Sequence, residues 1–274
     1  MKSSPDMPNN AIKAGRPSPA TSLEASAVSS VPSALSNAGV KRREEIIRFE
    51  RLAVRYQRGP EVLNDVNFTL KSGSFSFLTG PSGAGKTTLL DVINLNLRPS
   101  RGFIHLFGQD CALFDKAERA QYKRRIGLIS QDVNLIDHLS VFENVALPLR
   151  VSGQHQSAYR EDVVELLKWV GLGGRLQSRP ATLSGGEKQR AAIARAVISK
   201  PDILIADEPT GNVDSVIAHR LMHLFGEMNR MGATIFIATH DGQLARHHAG
   251  DIYHIQDGTV KHLDNPAGTG AGGL

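Results

Sequence analysis

Residues 80–87 have the spacing of a loop that wraps around phosphate groups: three glycines interspersed with small residues, then a lysine and a threonine. Glycines let backbone N–H groups turn toward phosphate oxygens, and a helix opening at Lys86 adds the positive end of its dipole. Lys86 can reach the β- and γ-phosphates of a nucleotide, and the Thr87 hydroxyl can ligate Mg²⁺. A chance glycine-rich turn is the alternative, but an apolar strand precedes this loop and an apolar helix start follows it. The predicted nucleotide-binding residues here are Gly80, Pro81, Ser82, Gly83, Ala84, Gly85, Lys86, Thr87 and Thr88.

A second chemical motif is the apolar run 203–206, which ends in two carboxylates, Asp207 and Glu208. Asp207, at the end of a strand, would hold Mg²⁺ through its waters, and Glu208 could polarise an attacking water. Alone this pattern is weak, because many buried strands end in Asp. Beside a phosphate loop in the same chain it becomes a strong indication of nucleotide hydrolysis.

A third motif, residues 183–187, opens a helix that runs to about Ser199. Ser184 and Glu187 form a capping box, which is the purely structural interpretation. That interpretation does not explain Gly185 and Gly186, since two glycines at a helix start cost stability unless something must approach the backbone closely. A second phosphate contact explains them. One phosphate loop and two helix starts suited to anions suggest that a second chain supplies the other nucleotide.

Composition bounds the kind of protein that carries these motifs. The 274 residues suffice for one large α/β domain with an inserted subdomain, and 41% are hydrophobic and 22% charged. No apolar run approaches the roughly 18 to 20 residues of a membrane span. A single cysteine, Cys111, excludes an internal disulfide and a four-cysteine zinc site. The net charge of +5 permits an anionic partner, but basic residues are not concentrated as in a nucleic-acid binder, so no nucleic acid is expected.

The elements that must position the motifs alternate between strand and helix. Alternating apolar residues predict strands over 47–56 and 62–70. A buried strand is predicted over 75–79 and a short strand over 126–130, and uninterrupted apolar runs predict buried strands over 203–206 and 234–238. Helices are predicted after the phosphate loop, from Ser157 as cap to Trp169, and over about 215–231; a hairpin at 252–263 turns at Asp257-Gly258. The chain is therefore predicted as an α/β domain over 45–263, between a disordered tail (1–44) and a flexible tail (264–274).

Together the motifs resemble those of ATP-binding cassette (ABC) ATPases, and the likeness covers about residues 46–263. Residues 183–190 are similar to the signature motif of that family. The resemblance implies a P-loop NTPase with a RecA-like core, an antiparallel β subdomain and a helical subdomain inserted at about residues 132–182. It also implies ATP and Mg²⁺ as cofactors. The active unit it implies is a head-to-tail homodimer, with ATP between one chain's phosphate loop and the other chain's Ser184, Gly185 and Gly186.

The resemblance also assigns roles to single residues. Gln131 matches the Q-loop glutamine, which touches Mg²⁺ or water and reports to the helical subdomain; without the family, an ordinary polar residue at a strand end is the simpler interpretation. Asp214 matches the D-loop, and a helix cap before Ser215 is compatible with that role. His240 matches the switch histidine on the γ-phosphate, and Tyr56 matches the aromatic on adenine, although packing is commoner for such a tyrosine. The implied metal ligands are Thr87, Gln131 and Asp207, and the implied catalytic residues are Lys86, Gln131, Glu208 and His240.

Finer features resemble the cell-division branch of the family, the FtsE type: residues 77–80, 82–90, 144–149, 206–212 and 229–234. That branch implies an integral, permease-like partner of the FtsX type and a peripheral position on the cytoplasmic face of the inner membrane. The string from Pro209 to Asn212 is shared with lipoprotein-release and macrolide-export ATPases, which are the alternative. A third possibility is a cassette ATPase acting on nucleic acid or ribosomes. One cassette and no long heptad segment argue against it.

Overall fold

The computed structural model describes residues 44–211 and 213–265. The predicted tails lie outside this part of the chain except for Glu44, Asp264 and Asn265. Among the described residues, no helix is both long enough and apolar enough to cross a membrane.

Strands and helices alternate along the described chain. The strands are β1 (Glu45–Arg55), β2 (Glu61–Lys71), β3 (Phe75–Thr79), β4 (Arg101–Leu106), β5 (Gln109–Asp110), β6 (Ile126–Ile129), β7 (Ile203–Asp207), β8 (Thr234–Thr239), β9 (Asp251–Gln256) and β10 (Thr259–Leu263). The helices are α1 (Lys86–Ile93), α2 (Lys116–Arg124), α3 (Val141–Val151), α4 (Gln156–Trp169), α5 (Gly185–Val197), α6 (Ser215–Arg230) and α7 (Gly242–His247).

The central sheet has the order β10-β9-β3-β8-β7-β6. Strands β9, β3, β8, β7 and β6 are parallel, and β10 closes one edge as the antiparallel arm of the predicted hairpin. In this register Thr79 lies opposite Thr239, and Asp207 lies opposite Ala238. The carboxyl ends of three neighbouring strands therefore meet at one edge of the sheet, where parallel α/β folds bind their ligands.

Both faces of this sheet are covered, which is why its inner strands β7 and β8 are buried along their whole length. Phe77 and Ile237 pack on the face that carries α3 to α7. Their chain neighbours Leu78 and Phe236 point the other way, against α1 and the second sheet, whose order is β2-β1-β4-β5. All pairs in the second sheet are antiparallel. The predicted α/β fold, with a parallel core and an antiparallel front sheet, is confirmed.

Helices α3 and α4 lie in the segment predicted to be helical, and buried Asn144 organises its start. The Asn144 side chain is 0% exposed. Its Oδ1 accepts from the Ile136 backbone N–H at 2.7 Å, and its Nδ2 lies 3.0–3.2 Å from the carbonyls of Ile136, Leu139 and Ser140. One amide thereby fixes the path of the chain between Gln131 and α3.

The cap of α4 differs from the prediction. The helix begins at Gln156, and His155, not Ser157, is its N-cap. The imidazole Nδ1 of His155 accepts from the Ser157 backbone N–H at 3.4 Å and lies 2.9 Å from the Ser157 hydroxyl. An imidazole nitrogen has replaced the usual hydroxyl or carboxylate acceptor, so Ser157 lies inside the first turn.

Candidate functional site

The glycine-rich loop joins β3 to α1 in a path that requires its glycines. Gly80, Gly83 and Gly85 have φ values of 156°, 78° and 104°, where a side chain is strained. A Cβ on Gly80 would lie 2.4 Å from the carbonyl oxygen of Ile255, and one on Gly85 would lie 2.8 Å from the Leu63 side chain. The loop is thus pressed against β9 and β2, and its shape is fixed by the surrounding sheets.

Lys86 points back into this loop. Its side chain is largely buried, with 8% of the residue exposed. The Nζ donates to the carbonyl oxygens of Gly80 at 2.9 Å and Pro81 at 3.1 Å. The loop therefore holds an ammonium group at its centre, where it can exchange these carbonyls for phosphate oxygens.

Asp207 faces Thr87 across the gap between β7 and α1. The Thr87 hydroxyl donates to Asp207 Oδ2 at 2.6 Å, and Asp207 is 4% exposed. Burial raises the pKa of the Asp207 carboxyl, and the neighbouring Glu208 charge raises it further, whereas the Thr87 hydrogen bond and Lys86 lower it. A carboxylate that is so deeply buried is destabilised in its charged form until a cation binds beside it.

These donors fit magnesium by their chemistry. Thr87 offers a hydroxyl, Asp207 a carboxylate and Gln131 an amide oxygen, and Mg²⁺ prefers such hard oxygen ligands. All three residues line one cleft. The Thr87–Asp207 contact shows that two of them already meet.

Glu208 is held in an unusual backbone conformation, with φ of 48°. Its N–H donates to the carbonyl of Ala238 at 2.9 Å, which ties the residue to the end of β8. Its Oε2 accepts from the Thr239 hydroxyl at 3.1 Å. Its Oε1 accepts from the His240 backbone N–H at 2.7 Å and lies 2.8 Å from His240 Nδ1. The carboxylate is thereby aimed by β8 and not by its own strand.

A cleft of about 510 Å³ brings these groups together. Five sequence-distant segments meet there: the start of β2 and the ends of β3, β6, β7 and β8. Its lining residues are Val62, Ser82, Gly83, Gly85, Lys86, Thr87, Thr88, Gln131, Asp207, Glu208, Gly211 and His240. Every residue expected to act in catalysis or to hold the metal is in this group.

Tyr56 lies beside the loop, as expected, but outside that lining. Its hydroxyl is 3.1 Å from Thr88 Oγ1, and 49% of the residue is exposed. A half-exposed ring anchored to α1 is available to stack on a flat ligand above the loop.

The residues of the signature stretch are not among those that line the cleft. Ser184 caps α5, accepting from the Glu187 N–H at 3.2 Å while Glu187 Oε2 accepts from the Ser184 N–H at 2.8 Å. A Cβ on Gly185 would meet nothing within 4 Å. The predicted capping box is therefore present, but packing within the chain does not explain Gly185. Gly186 follows in the first turn of α5.

Asp214 also lies away from the cleft lining. Its carboxylate accepts from the Ile217 N–H at 2.9 Å and caps α6, as its structural interpretation predicts.

Two residues at the site were not foreseen. Thr239 holds Glu208, and its place beside His240 at the end of β8 is the signal that could have indicated it. Gln189, buried in α5, donates to the carbonyl of Pro209 at 3.2 Å, while its Oε1 has no hydrogen-bond partner in the described chain. Gln189 links the signature helix to the segment after Glu208, and no local pattern announces that contact.

Comparisons with known proteins agree with this geometry. The family model described as ABC transporter matches residues 63–211. The cell division ATP-binding protein FtsE of Escherichia coli (strain K12) is 42% identical over 213 residues, 78% of this chain and 96% of its own. The protein of the same name from Bacillus subtilis (strain 168) is 36% identical over 215 residues, 78% of this chain and 94% of its own. A dimeric post-hydrolysis structure of the ATP-binding cassette MJ0796 with ADP and Pi is 33% identical, with a TM-score of 0.75, covering 80% of this chain and 98% of that one.

Proposed function

Because this chain belongs to the ABC transporter family, we propose that it is the ATP-hydrolysing subunit of an FtsE-type membrane complex that acts in bacterial cell division. The observation that supports hydrolysis best is the meeting of Lys86, Thr87, Asp207 and Glu208 in one cleft. The FtsE relatives, which this chain covers over 94–96% of their length, support the cell-division branch.

The residues of the cleft divide the work of hydrolysis. Backbone N–H groups of the loop and the Lys86 ammonium bind the phosphates of ATP. Thr87, Asp207 and Gln131 would hold Mg²⁺, which would neutralise charge on the phosphate oxygens. Glu208 accepts a proton from the attacking water, and His240 both orients that carboxylate and contacts the γ-phosphate. Tyr56 stacks on the adenine.

A second copy of the chain completes the site. Ser184, Gly185, Gly186 and Asp214 lie outside the cleft lining of their own chain, and the space over Gly185 is open. In a head-to-tail homodimer these groups reach the nucleotide bound by the other copy. The structure of the ATP-binding cassette MJ0796 is dimeric, which supports this arrangement.

The membrane partner is a permease-like protein of the FtsX type, and it docks close to Gln131. The segment 135–142 follows Gln131 and leads into α3. Leu135 and Phe142 are partly buried against the core between the central sheet and α3 to α7. Ile136 and Leu139 are half-buried and belong neither to that core nor to the one between the two sheets. Ile136 and Leu139 are thus apolar anchors for a short partner helix at the cytoplasmic face of the inner membrane.

Co-purification of the native complex tests this assignment. We expect the chain to bring down a four-span membrane protein with a modest extracytoplasmic loop. A partner with a large periplasmic domain would instead assign the chain to lipoprotein release or macrolide export.

Variants of the docking segment supply a second test. Ile136→Glu and Leu139→Glu should release the chain from membranes while ATP binding persists, whereas His138→Glu, an exposed neighbour, should stay bound. Membrane association retained by folded Ile136→Glu and Leu139→Glu chains would contradict the docking site.

A further inference from the structure

A second concavity lies at the far end of α1 from the phosphate loop. This basic groove has a volume of about 210 Å³. Its floor is apolar and includes Val92, Leu95, Ile104 and Cys111, and three arginines line it: Arg98, Arg101 and Arg119. Nothing in the hydrolysis site uses these residues.

The groove lies within a basic part of the chain. Residues 95–125 contain seven Arg or Lys and three Asp or Glu, whereas the described chain as a whole contains 26 and 25. The local net charge of +4 therefore exceeds the +1 of the whole described chain. Such a concentration attracts anions within about a Debye length.

Helix α2 turns a row of cations toward the groove. Lys116, Arg119 and Lys123 are spaced three and four residues apart, so they share one helix face. Arg119 Nη1 donates to the Leu95 carbonyl at 3.3 Å, and Lys123 Nζ donates to Asn96 Oδ1 at 2.8 Å, which directs this face to the end of α1. The Nε of Arg119 is buried and has no hydrogen-bond partner among the described residues.

The neighbouring carboxylates offset part of this charge, and Arg125 Nε lies 2.6 Å from Asp202 Oδ2. Asp110 caps the turn that follows it, accepting from the Ala112 N–H at 2.9 Å. Asp115 and Glu118 are joined in the capping box of α2. Arg101 is paired bidentately with Glu61, at 2.9 and 2.8 Å. Arg98 and Lys116 are exposed and form no ion pair within the described chain.

Two large apolar side chains stand out beside these cations. Phe103, which lines the groove, is 48% exposed, and Leu113, next to the groove residue Ala112, is 80% exposed. Cations together with protruding apolar side chains are the combination found on proteins that lie on anionic bilayers.

We propose that the basic groove, with Phe103 and Leu113, binds the anionic phospholipid surface of the membrane. Arg98, Lys116 and Arg119 contact lipid phosphates, and the two apolar side chains enter the boundary between headgroups and acyl chains. The choice of a bilayer as occupant rests on the proposed membrane function. Because α1 separates the groove from the phosphate loop, lipid and nucleotide bind without competing.

Vesicle flotation of the purified full-length chain tests the proposal. We expect binding to phosphatidylcholine vesicles that contain phosphatidylglycerol, little binding to pure phosphatidylcholine, and weakening as salt is raised. The Arg98→Gln/Lys116→Gln chain should bind about 25-fold more weakly, since each cation near an anionic surface contributes about fivefold. Leu113→Ser, which changes an exposed side chain, should also weaken binding.

A charge-matched control separates this surface from general attraction. Arg160→Gln/Lys168→Gln removes two exposed cations of α4 and should bind vesicles as the unchanged chain does. Equal loss in both double variants, or no preference for phosphatidylglycerol, would overturn the proposal. So would vesicle binding that is unchanged in Arg98→Gln/Lys116→Gln while its complex with the membrane partner is lost, since the groove would then bind an acidic protein segment. ATP binding in solution, measured on the same samples, reports separately on the proposed ATPase function.

Discussion

Glu208 and His240 lie on neighbouring strand ends and are joined twice through one oxygen. Glu208 Oε1 accepts from the His240 backbone N–H at 2.7 Å and lies 2.8 Å from its Nδ1. The backbone contact does not depend on the histidine ring, so a ring that swings toward a phosphate leaves the carboxylate aimed. The orientation of Glu208 therefore does not depend on whether the His240 ring contacts a phosphate.

Glu208→Gln should keep ATP binding but lower steady-state turnover by about 10² to 10⁴, because an amide cannot accept the proton of water. The nucleotide-bound dimer should accumulate and be visible by size-exclusion chromatography. Asp257→Asn changes an exposed carboxylate in the β9–β10 turn and should hydrolyse normally. Normal turnover in Glu208→Gln would remove Glu208 from the mechanism.

Lys86→Ala should lose nucleotide affinity as well as turnover. The variant removes the buried ammonium that Gly80 and Pro81 now hold at the centre of the loop. Charge-assisted hydrogen bonds to phosphate are among the strongest polar contacts, so calorimetry should show weaker ATP binding. Lys71→Ala, at an exposed lysine, is the control. Unchanged affinity in Lys86→Ala would contradict its contact with phosphate.

Mixing two inactive variants tests the composite site. A Lys86→Ala chain keeps its signature stretch, and a Gly186→Asp chain keeps its phosphate loop. A mixed dimer therefore contains one intact site, which neither homodimer has. Activity should return on mixing, and its absence despite demonstrated subunit exchange would show that each chain hydrolyses alone.

Asp207→Asn should stabilise the nucleotide-free chain above acidic pH. Folding raises the pKa of the Asp207 carboxyl. Its contribution to the free energy of unfolding is therefore fully present below the ordinary pKa of an aspartate and is lost as pH rises through the raised pKa of the folded chain. An amide does not titrate, and its oxygen can still accept from Thr87. Denaturant unfolding from about pH 4 to pH 8 should show a growing advantage for Asp207→Asn. A difference independent of pH would show that Asp207 is not strained by its charge.

Asn144→Ala should lower the free energy of unfolding by about 3 kcal/mol, because it leaves the Ile136 N–H and several carbonyls without their buried partner. Urea unfolding measures this loss. Asn134→Ala, at an exposed position of the same segment, should change little. Asn144→Asp keeps the acceptor for Ile136 but sets a carboxylate oxygen against the buried carbonyls, so it should lose at least as much as Asn144→Ala. A loss in Asn144→Ala as small as that of Asn134→Ala would contradict the role of Asn144.

The sequence predicts those parts of the fold whose residue types follow a regular pattern along the chain. Strands β3, β7 and β8 are short and mostly apolar, and the phosphate loop has a fixed spacing. Helix α2 has no such pattern, since Tyr122 is its only buried residue, and Gly102 interrupts the alternation of β4. Both elements were therefore missed.

At the site, prediction from the sequence is limited because the order of the strands decides which residues meet. Gln131 follows β6, and it reaches the cleft only because the sheet has the order β3-β8-β7-β6. From the residues alone it looks like any polar strand end, and only the family resemblance indicated its role. The left-handed backbone of Glu208 and the contact between Gln189 and Pro209 depend on segments that are distant in sequence, so no local pattern predicts them.

Because Ser184 and Gly185 lie outside the cleft lining, hydrolysis depends on the association of two copies of the chain. If the nucleotide must be covered by another copy, the rate per chain in dilute solution rises with protein concentration and levels off once dimers predominate. A membrane partner that holds two copies side by side removes this dependence, because it replaces free diffusion with a high effective concentration. Dilution would then abolish ATP hydrolysis by the free chain but not by the assembled complex.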